Sequence, residues 1–273
     1  MLDCDHPFLP EHWANPAGHK REKPRDVGLT MVIDKGVGLT AFRDLLEMAS
    51  PFLDIYKLGF GTAALYSKEL LQQKLSLAAR HGLHIMPGGT FFEIARRHSS
   101  VKEYMDTIKS VGFNAVEISD GTFPLCPEER RRAIAAGIEA GLVVYSEVGK
   151  KAADYRTELS ELLQTLQADL DAGASHVIVE ARESGTVGIF DKHGCADDRF
   201  ILEIARAAGP QASRLIWEAP KKEQQVLLLR ALGSGVNLGN VSCMDVLSVE
   251  TLRRGLRGDT AAFMEAGRAN ACE

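Results

Sequence analysis

The chain has 273 residues, 45% hydrophobic and 25% charged, a composition that suits a soluble globular protein with length for a large core. A net charge of −5 and a pI near 5.9 argue against a general binder of nucleic acid or anionic membranes, and no apolar run approaches the roughly 18 residues needed to span a bilayer. The amino-terminal MLDCDHPFLPEHW lacks the basic and apolar regions of a secretory signal, and the five cysteines (Cys4, Cys126, Cys195, Cys243 and Cys272) form no CxxC pair, so reduced thiols and a cytoplasmic location are expected.

Residues 1–25 read as a polar, proline-bearing arm that wanders or packs across the body; His6, His12 and His19 lie in it without a scaffold, and no metal role is assigned to them. From Gly28 a cycle begins. GLTMVID (28–34) reads as a strand ending on Asp34-Lys35-Gly36, and Thr40 as the N-cap of the helix AFRDLLEMAS. LDIYKLG (53–59) is a second strand, followed by the helix KELLQQKLSLAARHG, closed by Gly82. LHIMPGG (83–89) breaks into FFEIARRH. VKEYMDTIKSVG leads into NAVEISDG (114–121), and the next helix carries Pro127 in its first turn and Gly141 past its end. The fifth strand is LVVYSEV, stopping abruptly on Glu147, Gly149, Lys150 and Lys151. A helix over 158–171 precedes SHVIVEARESG (175–185); RLIWEAP (214–220), VNLGN (236–240) and a helix from near Ser248 complete the series. About eight strand-then-helix cycles with nearly continuous apolar strands predict one α/β domain, a (β/α)8 TIM barrel over 26–260, with a short tail over 261–273. No GxGxxG follows any strand, which disfavours an open doubly wound sheet.

In such a barrel the active site lies at the carboxyl ends of the strands. Those ends collect Asp34, Lys35, Lys57, Thr90, Glu117, Asp120, Glu147, Lys151, Glu180, Arg182, Glu183, Glu218, Asn237 and Asn240. A salt bridge from Glu117 to a neighbouring lysine is expected. Carboxylates on neighbouring strands suit a hard divalent cation, Mg²⁺ foremost, and no histidine sits at a strand end to make a zinc site. The cations Lys35, Lys57, Lys151 and Arg182 favour an anionic substrate. The glycine-bearing loops Arg182-Glu183-Ser184-Gly185 and Asn237-Leu238-Gly239-Asn240 suit a phosphate held by backbone N–H groups. A strand-end lysine also admits a Schiff-base aldolase, but the acidic neighbours favour a metal-stabilised enolate with an ammonium as proton donor.

Nine segments, GLTMVIDKG, YKLGFGTAALY, MPGGTFFE, AVEISDGT, YSEVGKK, DLDAGASHVIVEARESG, WEAPKKEQQ, NLGN and SVETLRRGLRGDT, resemble the phosphosulfolactate synthase family in the same order, from about residue 24 to about 260. The resemblance implies a Mg²⁺-dependent carbon–sulfur lyase that adds sulfite to phosphoenolpyruvate, giving (2R)-phospho-3-sulfolactate, a step toward coenzyme M in methanogens. It makes Lys151 the proton donor. Lys35, Lys57 and Arg182 would bind phosphate and sulfite, with Ser184, Gly185, Asn237 and Asn240 beside them. Glu147 and Glu180 lead as metal ligands, followed by Asp34, Asp120 and Glu218; a homo-oligomer is expected. The chain departs from the family's usual EAPQKSQQ at EAPKKEQQ, where an acidic Glu223 would weaken anion binding if it faced the site, and the GTVGIFDKHG segment is altered. The alternatives are a related barrel lyase acting on another phosphorylated enol or keto acid, and a non-catalytic role like that of the plant heat-stress-associated proteins the resemblance also reaches.

Overall fold

The computed structural model describes residues 9–18, 22–152 and 155–263. Eight strands, β1 (Thr30–Asp34), β2 (Ile55–Leu58), β3 (His84–Pro87), β4 (Ala115–Ile118), β5 (Val143–Val148), β6 (His176–Val179), β7 (Leu215–Glu218) and β8 (Asn237–Ser242), form one parallel ladder in the order β3-β2-β1-β8-β7-β6-β5-β4. A short α1 (Glu11–Ala14) lies in the arm. The helices between and after the strands are α2 (Leu39–Ala49), α3 (Lys68–Arg80), α4 (Gly89–Ala95), α5 (Val101–Val111), α6 (Pro127–Glu139), α7 (Leu159–Asp171), α8 (Asp198–Ala208), α9 (Lys222–Leu232) and α10 (Val246–Arg253). This is the expected (β/α)8 barrel, nearly closed.

The helices form where apolar periodicity and caps agree. In α5, Tyr104, Met105 and Ile108 are buried on one face, Ser100 Oγ accepts from the Glu103 N–H, and Gly112 ends the helix at φ 116°. Thr40 is not the expected cap. Gly38 precedes α2 and Thr40 lies inside its first turn. β8 also runs to Ser242, two residues past the expected end, so the Asn237–Asn240 stretch is strand and not loop.

Because side chains alternate along a strand, each strand gives one set to the barrel interior and the other to the helices. Leu29, Met31, Ile55, Met86, Ala115, Tyr145, Ile178 and Ile216 form a buried cluster of their own inside the barrel. Val32, Tyr56, Leu58, Val116, Val144, Val177 and Trp217 join the larger core under the helices. The next inward position above the interior cluster is Lys57 on β2, Glu117 on β4, Glu147 on β5, Glu180 just past β6 and Glu218 on β7. The uppermost layer of the interior is therefore charged.

β3 and β4 lie at the two ends of the ladder, and a side chain bridges them. Asn114 Oδ1 accepts from the Ile85 N–H at 2.7 Å and its Nδ2 donates to the Leu83 carbonyl at 2.9 Å. The described part of the arm packs across the opposite, amino-terminal end. There Arg25 donates to Asp54 at 2.9 Å and to the Pro51 carbonyl at 2.6 Å, and the Gly28 N–H donates to the Gly235 carbonyl. His6, His19, Cys4, Cys272 and the tail from residue 264 lie outside the described residues. Cys126, Cys195 and Cys243 are free thiols, and among the described residues no helix is long and apolar enough to cross a membrane.

Asn114→Ala strips both backbone groups of their partner at the seam and should cost about 2–4 kcal/mol. The expected result is a lower denaturant midpoint at unchanged slope; an unaltered midpoint would remove Asn114 from that role.

Candidate active site

A cavity of about 440 Å³ opens at the carboxyl end of the barrel, lined by residues that include Lys57, Glu117, Glu147, Lys151, Glu180, Arg182, Glu218 and Asn240. Lys57 rises from β2 through the centre, its Nζ 3.0 Å from Glu218 Oε1 and 3.4 Å from Glu117 Oε2. Lys151, three residues past β5, reaches back over the rim. Its Nζ lies 2.5 Å from Glu147 Oε1, 2.8 Å from Glu180 Oε2 and 3.9 Å from Glu93 Oε1. Glu147, Glu180 and Glu218, all buried, each present one oxygen, and these oxygens lie within 4.8 Å of one another.

Five buried carboxylates (Glu93, Glu117, Glu147, Glu180 and Glu218) thus face two ammonium groups. Burial disfavours the Lys57 ammonium, but Glu117, Glu218 and Glu147 outweigh it and hold its pKa above the lysine range. Lys151 is pushed up in the same way: burial opposes, and Glu147 and Glu180 prevail. The carboxylates divide. Glu147 is pulled down despite burial, chiefly by Lys151. Burial pushes Glu117 up to about 8, with Lys57 opposing and Glu147 and Glu218 reinforcing, and it drives Glu180 upward with help from the same two glutamates. Glu117 Oε2 and Glu180 Oε2 make no aligned hydrogen bond, although each lies near a lysine. There is more negative charge here than the protein neutralises.

Two glycines make the arrangement possible. A Cβ on Gly89 would stand 2.5 Å from Ser119 Cβ and 2.9 Å from Glu117 Oε1. Gly149, at φ 128°, would place a Cβ 2.7 Å from Glu180 Cβ. The Gly-Lys-Lys turn after β5 therefore needs glycine both for its backbone and for the approach that sets Lys151 beside Glu180. Ser119 Oγ sits 2.7 Å from both Glu93 Oε1 and Glu147 Oε1, and Lys151 Nζ is 3.3 Å away. The other oxygen of Glu93 accepts from the Thr122 and Phe123 N–H groups at 2.7 and 2.6 Å, tying the loop after β4 to α4.

Among the described residues, the non-glycine residues with left-handed backbone are Phe60, Arg182 and Asn240, and all three line the cavity. Strained backbone gathered at one mouth marks a site under functional constraint.

The structure brings together Lys57, Lys151, Glu147, Glu180, Glu218, Arg182 and Asn240 as expected, and Lys57 makes the salt bridge expected of Glu117. Arg182 forms no side-chain ion pair among the described residues. Lys35 pairs with Glu183 at 3.2 Å on the exposed rim. Ser184 and Gly185 stand back from the cavity: Ser184 Oγ is 2.7 Å from Thr186 Oγ1, and the Gly185 carbonyl accepts from Gln224. Three other candidates lie elsewhere. Asp34 is one position out of phase with the interior set and faces the helix layer, where it pairs with Lys74 and accepts from Tyr56 Oη and the Gly36 and Val37 N–H groups. Asp120 turns to the outside, bound to Arg130 at 3.1 Å and Lys150 at 3.0 Å. Asn237 opens β8 at the opposite end, accepting from the Leu29 N–H and donating to the Ser213 and Leu215 carbonyls. Glu223 is exposed on the first turn of α9 and does not line the cavity. Glu93 belongs to the site without being a strand-end residue: it sits on α4, and its only signal in the sequence is its place one turn past the Gly88-Gly89 break.

A larger cavity of about 600 Å³ lies outside the barrel between α6 and α7. Its charged groups satisfy one another, Arg130 with Asp120 and Asp169, Lys150 with Asp120, and Arg131 with Glu128, so the mouth is the better site despite its smaller volume.

Comparison with known proteins agrees. The family model described as (2R)-phospho-3-sulfolactate synthase (ComA) matches residues 18–259. The chain belongs to that family. It is 43% identical over 242 residues to the phosphosulfolactate synthase of Methanothermobacter thermautotrophicus, covering 87% of this chain and 93% of that protein. It is 40% identical over 236 residues to the phosphosulfolactate synthase of Methanocaldococcus jannaschii, with 85% and 93% covered. Among solved structures, the carboxyl transferase domain of Rhizobium etli pyruvate carboxylase aligns with a TM-score of 0.56 at 14% identity, over 92% of this chain and 46% of that one, a likeness of fold alone.

A carboxyl raised by folding favours the folded state below its ordinary pKa of 4.5, and that contribution is lost as pH rises toward about 8. In protein stripped of divalent cations, Glu117→Gln should therefore gain thermal stability relative to wild type as pH goes from 5 to 9. Parallel melting profiles for the two proteins would contradict this.

Proposed function

We propose that this barrel joins sulfite to phosphoenolpyruvate in a Mg²⁺-dependent addition that yields (2R)-phospho-3-sulfolactate. The observation that carries the reading is the pairing, at one mouth, of a proton-bearing lysine with a trio of buried carboxylates, in a chain of this family. The donor set fits the ion: Glu147, Glu180 and Glu218 offer only hard oxygen ligands, and five buried carboxylates against two ammonium groups leave a charge excess for a dication to absorb. When bound there, Mg²⁺ supplies positive charge to the substrate's carboxylate and stabilises the charge that gathers on it during addition.

The remaining work falls to side chains of the chain itself. The sulfur lone pair of sulfite forms the bond to C3, the C2=C3 π pair moves onto C2 and into the carboxylate, and one proton arrives at C2. Lys151 is suited to deliver that proton because Glu147 and Glu180 keep it protonated. Its high pKa is no obstacle, since a carbon carrying enolate charge is the stronger base. Fixed by its short contacts on one side of the mouth, it would protonate one face only and so set the configuration. Arg182, with no carboxylate partner among the described residues, is free to grip the phosphate with two N–H groups. Lys35, in a weak exposed pair with Glu183, can add to it.

The direct test is to incubate the protein with phosphoenolpyruvate, sulfite and Mg²⁺ and look for an organosulfonate; none above the sulfite-free control would sink the synthase reading. Lys151→Arg retains the charge between Glu147 and Glu180 but gives up its proton far less readily, so kcat should fall by about 10² or more with little change in melting temperature. Turnover near wild type would take the proton donor's role from Lys151.

Chelation should abolish activity. Independently, saturating Mg²⁺ should raise the melting temperature of wild type, by the equivalent of about 2.7 kcal/mol at a hundredfold excess over Kd. Glu180→Gln should lose most of that rise, and a shift unaffected by the substitution would place the ion elsewhere.

A further inference from the structure

Of the left-handed residues at the mouth, Asn240 alone lies within a strand. On β1, Thr30 pairs with Leu238 and Val32 with Val241, so two steps along β1 answer three along β8 and β8 carries one extra residue. That is a β-bulge, a device that re-aims side chains at barrel rims. Without it Asn240 would share the orientation of Leu238, which packs under the helices. With it, and at φ 52°, Asn240 lines the mouth. The residue is only 4% exposed, and its Oδ1 is buried with no hydrogen-bond partner. A barrel gains no stability from an interrupted ladder, a left-handed asparagine and an unsatisfied amide at one position. The combination makes sense where a ligand completes the amide's hydrogen bonds.

The place of Asn240 says which ligand. Around the barrel run β5, β6, β7 and β8. Lys151 follows the first of these, the three carboxylates occupy the first three, and Asn240 sits on the fourth. An enol held over the carboxylate strands therefore has Lys151 on one flank and Asn240 on the other. If the proton comes from the Lys151 flank, the opposite flank remains open to the nucleophile. The surroundings there suit an oxyanion: Glu218 on the adjacent strand is paired with Lys57 at 3.0 Å, and Ile33 on β1 is uncharged. We infer that Asn240 is the sulfite-docking residue, a neutral amide that holds the incoming oxyanion on the side of the mouth away from Lys151; this rests on the synthase reading. Either rotamer of the amide serves: two N–H donors face sulfite oxygens, or the carbonyl accepts from bisulfite's hydroxyl. A neutral partner adds no charge that would draw the phosphate of the other substrate into the same place. Asn240 thus separates the two anions, where the sequence alone grouped it with a phosphate loop.

The test uses the full chain with Mg²⁺, measuring initial rates against sulfite at saturating phosphoenolpyruvate and the reverse. Asn240→Gly, which adopts φ 52° without strain, should raise the KM for sulfite roughly tenfold or more. The KM for phosphoenolpyruvate should stay within about twofold, and the melting temperature should equal or exceed that of wild type. Asn240→Asp should raise the sulfite KM further, by setting a carboxylate against the oxyanion. An unchanged sulfite KM in Asn240→Gly would overturn the inference. So would an equal rise in both KM values, or a fall in kcat alone accompanied by a lower melting temperature. If wild type itself forms no organosulfonate, the synthase reading has failed and this inference falls with it, a result visible before any variant is assayed.

Discussion

The structure is built around charge packed where a barrel usually places hydrocarbon. The layer at Met31, Ile55, Ala115, Tyr145, Ile178 and Ile216 is apolar, and one inward step higher stand Lys57, Glu117, Glu147, Glu180 and Glu218. Burying five carboxylates with two ammonium groups is unfavourable in any folded protein unless each charge is placed against another. Lys57 and Lys151 do this in part, each spanning two acidic strands. What remains uncompensated underlies the proposed capacity to bind a cation and, around it, an anion.

That capacity needs a scaffold whose stability comes from elsewhere. The amino-terminal end supplies some of it. Arg253, fully buried, donates to the carbonyls of Ser234, Val236 and Leu29, closing the barrel floor with hydrogen bonds to backbone. Asp34 and Lys74 form a buried pair in the helix layer, with the ammonium 5.3, 5.7 and 4.9 Å from the ring centres of Phe42, Tyr56 and Tyr66. These groups do not line the cavity. The mouth holds left-handed residues, an unpartnered amide oxygen on Asn240 and carboxyls pushed out of their usual range. The helix layer and the barrel floor thus carry stabilising contacts that the site does not use, as expected when a fold carries its site on the strand ends.

The same geometry explains what could be read from the sequence. Strand-then-helix rhythm predicts the barrel because burial on both faces writes nearly continuous apolar runs, and each run must end where solvent begins. Glu147, Glu180 and Glu218 are legible for that reason. The direction of Asp34 is legible too, against its strand-end position: Met31 and Ile33 share one face of β1, so Asp34, one residue later, must share the other with Val32. NLGNVS has no clear apolar rhythm, so only the ladder shows that Asn237 opens β8 and that the strand continues to Ser242. Asp120 stands two residues beyond β4, where strand periodicity no longer constrains direction. Glu93 and Ser119 act through contacts between elements far apart in the chain, and no local pattern announces such contacts. The bulge at Asn240 is likewise a property of pairing with β1, invisible in either strand alone.

The motif EAPKKEQQ shows how far a family pattern can vary before the site changes. Its acidic Glu223 faces solvent on the first turn of α9, so the charge that departs from the family's usual residue never meets the cavity. The next residue points the other way. Gln224 is buried and its amide donates to the carbonyls of Gly185 at 2.7 Å and Gly194 at 3.2 Å, gathering the long loop after β6 against α9. A Cβ on Gly185 would collide with that amide at 2.4 Å. The loop's glycine and the helix's glutamine therefore specify each other. Through them the turn that begins at Arg182, where Glu180 Oε1 accepts from the Arg182 N–H at 2.6 Å, is held at the rim. The altered GTVGIFDKHG segment lies inside this tether and is packed in its own right: Val187 and Phe190 are buried, and a Cβ on Gly188 would stand 2.2 Å from the Glu180 carbonyl oxygen. Arg182 is held at the rim from both sides, by Glu180 before it and by the loop after it, whose Gly185 and Thr186 N–H groups donate to the Arg182 and Ala181 carbonyls and whose ends Gln224 anchors.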